Sequence, residues 1–103
     1  MLFRSVDDDV GHGPAPRRVT DVVVYSRPGC HLCEEAVARI VGLHEQGYRF
    51  GLHEVDIESD ELLLRRHLER IPVVEVDGTV VSELVLDEAA VRARLDTVGA
   101  WSS

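Results

Sequence analysis

Cysteine is scarce in this chain of 103 residues, which has 2, too few for the disulfide framework that lets small secreted domains hold together around thin cores. A reducing compartment, the cytoplasm, is the expected setting. No run of about 18 apolar residues occurs, so a membrane-spanning helix is not expected. The opening Met1-Leu2-Phe3-Arg4-Ser5-Val6-Asp7-Asp8-Asp9 has no apolar stretch of signal-peptide length, so export is not expected either. Positive charge is also short: Lys+Arg 11 against Asp+Glu 19 gives a formal charge of -8. That surplus repels phosphate backbones and anionic lipid over a Debye length of ~8 Å, so neither nucleic acid nor a membrane is an expected partner. The acidity reads as a solvated surface that keeps a small protein soluble. A second C-x-x-C and an H-x-x-x-H are both absent, so the two cysteines lack the companions a tetrahedral zinc site needs, and no metal site is expected.

What is present suffices for one domain, since 45% of the residues are hydrophobic and there is no room for a second core. Residues 1–18, with the acidic run Asp7 to Asp9 followed by Gly11-His12-Gly13-Pro14-Ala15-Pro16-Arg17-Arg18, read as a flexible N-terminal tail. From Val19 to Tyr25 the pattern is that of a strand. A helix is expected from about His31 to Gln46, with Gly47 placed as its stop, and a second strand within Arg49 to Asp56. Ser59, followed by Asp60 and Glu61, suits the start of a short helix over Leu62 to Leu68 that ends by Arg70. After Ile71-Pro72 the runs Val73 to Val76 and Thr79 to Glu83 flank Asp77-Gly78, the strongest short-range hairpin signal. Asp87 caps a last helix with Ala90, Val91 and Leu95 on one face. The domain spans 19–98, and residues 99–103 are expected to fray as a C-terminal tail.

Between the first strand and the first helix lies Tyr25-Ser26-Arg27-Pro28-Gly29-Cys30-His31-Leu32-Cys33. At a helix N-terminus, unpaired N–H groups and the positive end of the peptide dipoles favour an anion, so Cys30 ionises more readily than a free thiol. One turn into the helix, Cys33 can close a disulfide on Cys30. The deeper position makes it the resolving sulfur and leaves Cys30 as the attacking one. The spacing therefore reads as a dithiol redox site, with half of a zinc site as the competing reading of the same motif. His31 can favour the thiolate when protonated or can be an ordinary exposed residue. His12, His44, His53 and His67 read as solvent-facing, and Trp101 as tail or edge packing.

The order β-α-β-α-β-β-α, with C-x-x-C after the first strand and Ile-Pro before the third, resembles the thioredoxin fold, and Tyr25 to Cys33 resembles its glutaredoxin branch. The match covers about Thr20 to Val98. The resemblance implies an α/β domain, a four-stranded mixed sheet with helices on both faces. It also implies a thiol–disulfide oxidoreductase with Cys30 and Cys33 catalytic, acting on protein or low-molecular-weight disulfides. Arg27 matches a basic position that helps hold the nucleophile or bound glutathione. Ile71 and Pro72 match a cis-proline whose preceding backbone pairs with the substrate. No cofactor is required; glutathione or another small thiol, or a cellular reductase, would restore the dithiol. Glutathione-using glutaredoxins carry Gly-Gly and then an acidic residue after the hairpin, where this chain has Ser82-Glu83-Leu84, and without glycines the backbone cannot approach a ligand as closely. It resembles the small glutaredoxin-like proteins more than a standard glutaredoxin. The competing functions are a non-enzymatic carrier of an iron–sulfur cluster bridged through Cys30 and a redox-inert interaction domain.

Overall fold

The strand that leads to the cysteines, β1 (Asp21–Ser26), sits in the middle of the sheet. Alternation along it places Val22 and Val24, both fully buried, on one face, and Val23 and Tyr25 on the other. The computed structural model describes residues 20–100. Beside β1, β2 (Gly51–Asp56) runs parallel from Asp21↔Gly51 to Ser26↔Asp56, while β3 (Val73–Val76) runs antiparallel from Val22↔Val76 to Tyr25↔Val73. The edge strand β4 (Thr79–Ser82) pairs with β3, giving the order β2-β1-β3-β4. Asp77 and Gly78 both have positive φ, 50° and 84°, as a two-residue type I′ hairpin requires. A step in register, Val74↔Ser82 but Glu75↔Val80, leaves Val81 as an extra residue on β4.

Helix α1 (His31–Glu45) sends Cys33, Ala36, Ile40 and Leu43 inward at helical spacing. Its stop is a glycine effect: Gly47 adopts φ 102°, donates its N–H to the His44 carbonyl, and the Tyr48 N–H returns to the Leu43 carbonyl. Helix α3 (Glu88–Thr97) is capped by Asp87, whose carboxylate accepts the Ala90 N–H at 3.1 Å, and buries Val91 and Leu95. Ile40, Leu43, Val91 and Leu95 meet Val22, Val24, Val74 and Val76 in one core, so α1 and α3 share that face of the sheet. The short helix α2 (Glu61–His67) lies over the opposite face, where His67 stacks on Tyr25. This is the α/β, mixed four-stranded architecture of the thioredoxin-like fold, with helices on both faces.

Four expectations are corrected. The cap of α2 is Asp60, whose carboxylate accepts the Leu62 N–H at 2.8 Å; Ser59 instead closes a 3-10 turn (Ile57–Ser59) by donating its hydroxyl to the Asp56 carbonyl. β4 stops at Ser82, one residue short of Glu83. The chain does not fray from Gly99: the Ala100 N–H bonds the Leu95 carbonyl, the Ala100 carbonyl accepts the Arg49 N–H at 2.8 Å, and the Ala100 side chain is buried. His67 is buried rather than solvent-facing, with 6% of its surface exposed. The expected tails at 1–18 and 101–103, with His12 and Trp101, lie outside the described residues. Among the described residues no helix is long and apolar enough to cross a membrane.

Candidate active site

At the end of β1 the chain turns sharply before α1 begins. Pro28 and Gly29, the latter at φ 80°, fill the central positions of a turn closed by the Cys30 N–H on the Arg27 carbonyl at 3.2 Å. That pattern is a type II turn, in which proline presets the first φ and glycine supplies the positive second one. The turn delivers Cys30 as the N-cap of α1, in extended backbone, where its sulfur accepts the Cys33 N–H at 3.1 Å. A sulfur thus occupies the capping place usually taken by a serine or aspartate oxygen, against one of the orphan donors of the first turn. Cys30 and Cys33 are joined in a disulfide with their Cα atoms 5.2 Å apart, so the Cys30 sulfur stands here for the thiolate of the reduced protein. Cys30 is half-buried while Cys33 is 1% exposed. His31, between them, is fully exposed, with the Glu34 carboxylate 4.0 Å from its ring.

Facing this end of β1 is the start of β3. Ile71–Pro72 is a cis bond, as the resemblance implied, and Pro72 is fully buried just before the Val73↔Tyr25 pair. The loop into Pro72 is held from α2, since the His67 carbonyl accepts both the Arg70 N–H at 2.8 Å and the Ile71 N–H at 3.1 Å. The fold therefore brings Arg27, Cys30, Cys33, Ile71 and Pro72 to one end of the sheet. Arg27, however, is engaged elsewhere: its guanidinium pairs with Glu58 of the 3-10 turn at 2.6 Å.

The segment where standard glutaredoxins carry glycines keeps a left-handed turn without one. Leu84 adopts φ 67°, a region that costs a branched side chain on the order of 1 kcal/mol or more. Its N–H donates to the Arg70 carbonyl at 2.9 Å, and the buried Ser82 hydroxyl accepts the Asp87 N–H at 2.9 Å and donates to the Val85 carbonyl at 3.4 Å. Those bonds tie the segment both to the loop before Pro72 and to the start of α3.

A second cluster on this side was not anticipated. His67 stacks on Tyr25 with ring centroids 4.3 Å apart, and Tyr25 donates a long 3.5 Å hydrogen bond to Glu75. Burial, the Glu75 charge and that bond push the Tyr25 phenol above its ordinary value. The legible signal was parity: with Tyr25 opposite Val73 and Val23 opposite Glu75, Tyr25 and Glu75 are diagonal neighbours on one face. Burial first, then the Arg66 charge and more weakly that of Arg70, hold the His67 imidazole below its ordinary range, with Glu75 and Glu83 opposing them. Its Nδ1 is buried without a hydrogen-bond partner among the described residues. Because the folded value is depressed, the native state takes up fewer protons than the unfolded chain, so stability is fully present above ~6.5 and is lost as pH falls below it. Urea unfolding is expected to show a lower free energy at pH 5 than at pH 7, with a smaller decline in His67→Phe, which keeps an aromatic stack. An equal decline in both proteins would assign the effect to another group.

A family model described as a glutaredoxin-like domain (DUF836) matches residues 21–96. The chain belongs to this glutaredoxin-like family. Among solved structures, this glutaredoxin-like domain is similar to protein Ne2328 from Nitrosomonas europaea, with 30% identity and a TM-score of 0.66 over 80% of this chain and 98% of that one. It is also similar to XcR50 from X. campestris, with 27% identity and a TM-score of 0.60 over 74% and 96% of the two chains. A mutant thioredoxin from Halobacterium salinarum, at 19% identity and a TM-score of 0.55 over 82% and 78%, shares the fold. Among curated proteins no sequence matches the chain.

Proposed function

We propose that this glutaredoxin-like domain is a thiol–disulfide oxidoreductase of the cytoplasm that reduces protein or low-molecular-weight disulfides. The observation that supports the reading most is the half-buried Cys30 sulfur at the N-cap of α1, accepting the Cys33 N–H, with Cys33 buried beneath it. The Cys30 thiolate attacks one sulfur of the substrate disulfide, the S–S bond breaks, and one substrate thiolate leaves. Cys33, as thiolate, then attacks the Cys30 sulfur of the mixed disulfide, releasing the second thiolate and forming the Cys30–Cys33 disulfide. Two electrons pass from the dithiol to the substrate. Ile71 and Pro72 lead into β3 at the dithiol end of the sheet and would align the substrate's backbone. No resident cofactor enters this scheme; a cellular thiol or reductase restores the dithiol. Mixing reduced protein with insulin or with a protein mixed disulfide tests the reading, and a dithiol that persists unreacted would overturn it.

Glutathione is a poor reductant in this proposal. Ser82 and Glu83 put two side chains where glycines would admit the γ-glutamyl end. Wild type is expected to turn over a glutathione mixed disulfide slowly, and Ser82→Gly/Glu83→Gly several times faster. The double variant also loses the Ser82 hydroxyl from the Asp87 N–H, so its unfolding free energy should fall by ~1–3 kcal/mol. Wild-type rates equal to those of a standard glutaredoxin would show that another surface holds the tripeptide.

A further inference from the structure

Two basic side chains in the loops at the dithiol end of the sheet, Arg27 and Arg70, are held by carboxylates. Arg27, whose carbonyl closes the turn onto Cys30, is paired with Glu58 at 2.6 Å, each side chain 41% exposed. Arg70, which enters the cis-proline loop, lies 3.9 Å from Glu83, and its carbonyl fixes the left-handed Leu84. In the first turn of α1, Glu34 stands one position after Cys33 and is largely exposed. A negatively charged substrate therefore meets exposed acids, and Arg27 and Arg70, which would attract it, are already paired with carboxylates. We propose that Glu58 and Glu83 are specificity-determining residues that turn the dithiol away from anionic disulfides and toward neutral or cationic ones.

This inference rests on the dithiol-exchange reading above. Glu58 acts through Arg27 and is a positioning residue; it does not touch the reacting sulfurs. Released from Glu58, the Arg27 guanidinium becomes a free cation on the turn that carries Cys30, available to a substrate carboxylate. Glu83 acts in the same way on Arg70 and adds its own repulsion. Effects of exposed charges are modest individually and fall with salt, so the signature is a change in relative rates with substrate charge rather than a loss of activity.

The test uses single-turnover oxidation of the full reduced chain, its own dithiol being the reductant. The probes are cystamine (cationic), 2-hydroxyethyl disulfide (neutral) and 3,3′-dithiodipropionate (anionic). Leaving-group differences cancel when each variant's anionic-to-neutral rate ratio is compared with that of wild type. Glu58→Gln and Glu83→Gln are each expected to raise that ratio about threefold, and together about tenfold, at low salt. Glu58→Asp should keep the wild-type ratio, and Arg27→Gln placed on Glu58→Gln should abolish the gain. Salt of about 0.5 M should compress all the differences. A merely structural role for Glu58 would lower all three rates together and leave the ratio alone. Ratios unmoved in both single variants and in the double would overturn the inference while leaving the exchange reading intact. Failure of the wild type to react with any of the three would overturn the exchange reading itself.

Discussion

Replacing Cys30 with serine is expected to lower disulfide exchange at least about a thousandfold, whereas Cys33→Ser should still carry out the first attack and then stop. The asymmetry follows from burial and from one hydrogen bond. Cys30 is the reachable sulfur and Cys33 is 1% exposed, so an external disulfide meets Cys30 first. The bond to the Cys30 sulfur comes from the backbone N–H of residue 33, at 3.1 Å, which survives any side-chain replacement there. Cys33→Ser thus retains the donor that favours the Cys30 thiolate while losing the nucleophile that releases the product. Resolution by Cys33 is intramolecular, and oriented intramolecular attack reaches effective molarities of about 10⁵ M or more; without it the mixed disulfide waits for an external thiol. Mass spectrometry after incubation with a disulfide-bonded protein should find abundant covalent adducts on Cys33→Ser and almost none on Cys30→Ser. Equal trapping by the two variants would reverse or dissolve the assigned roles.

The parts of this site that were legible in the sequence depend on local chemistry. Pro28-Gly29 before Cys30 specifies a turn, apolar spacing after Cys33 specifies a helix, and Asp77-Gly78 specifies a hairpin, each through neighbours a few residues away. Cys30 and Cys33 were therefore legible as a pair within disulfide reach of each other, and the fold followed from the order of the elements and the resemblance. The cap of α2 went to the wrong residue because Ser59 and Asp60 are adjacent and equally good caps. Only Asp56, which caps the 3-10 turn through the Glu58 N–H, decides between them by drawing Ser59 into that turn.

Contacts between elements that are not paired strands were not legible. That Arg27 meets Glu58 depends on where the 3-10 turn after β2 falls relative to the turn before α1, and no spacing in the sequence encodes it. His67 follows Arg65 and Arg66 at the end of a short helix, a context that resembles solvent-facing surface. Its burial comes from α2 crossing the far face of the sheet, where Tyr25 offers a flat ring. Ala100 is held because Arg49, just ahead of β2, donates to its carbonyl. In each case a residue with weak intrinsic preferences takes its position from a partner on another element.

Ile40→Ala is expected to lower the free energy of unfolding by ~2–5 kcal/mol, and a change of equal chemistry on the same helix, Leu32→Ala, by no more than ~0.5 kcal/mol. Ile40 is fully buried among Val22, Val24, Leu43 and Leu95, where truncation leaves a cavity that the sheet on one side and α3 on the other restrict from collapsing. Leu32 is 49% exposed and loses little contact when shortened. For a domain of this size each kcal/mol shifts the melting midpoint by roughly 4–8 °C, so the core variant should melt on the order of 10–30 °C below wild type. The functional effects should run the other way. Leu32 sits between Cys30 and Cys33 and presents an apolar side chain to whatever approaches the dithiol. Its loss should slow exchange with protein disulfides by a few-fold more than exchange with a small neutral disulfide. Ile40→Ala, measured well below its melting midpoint, should exchange both substrates at nearly wild-type rates, because the N-terminal turn of α1 is positioned by the Pro28-Gly29 turn and by the buried Cys33. Urea titrations of the two variants, run beside both exchange assays, check the separation. A core truncation that slowed exchange as much as Leu32→Ala did would show that the whole length of α1, and not its first turn alone, holds Cys30 in place.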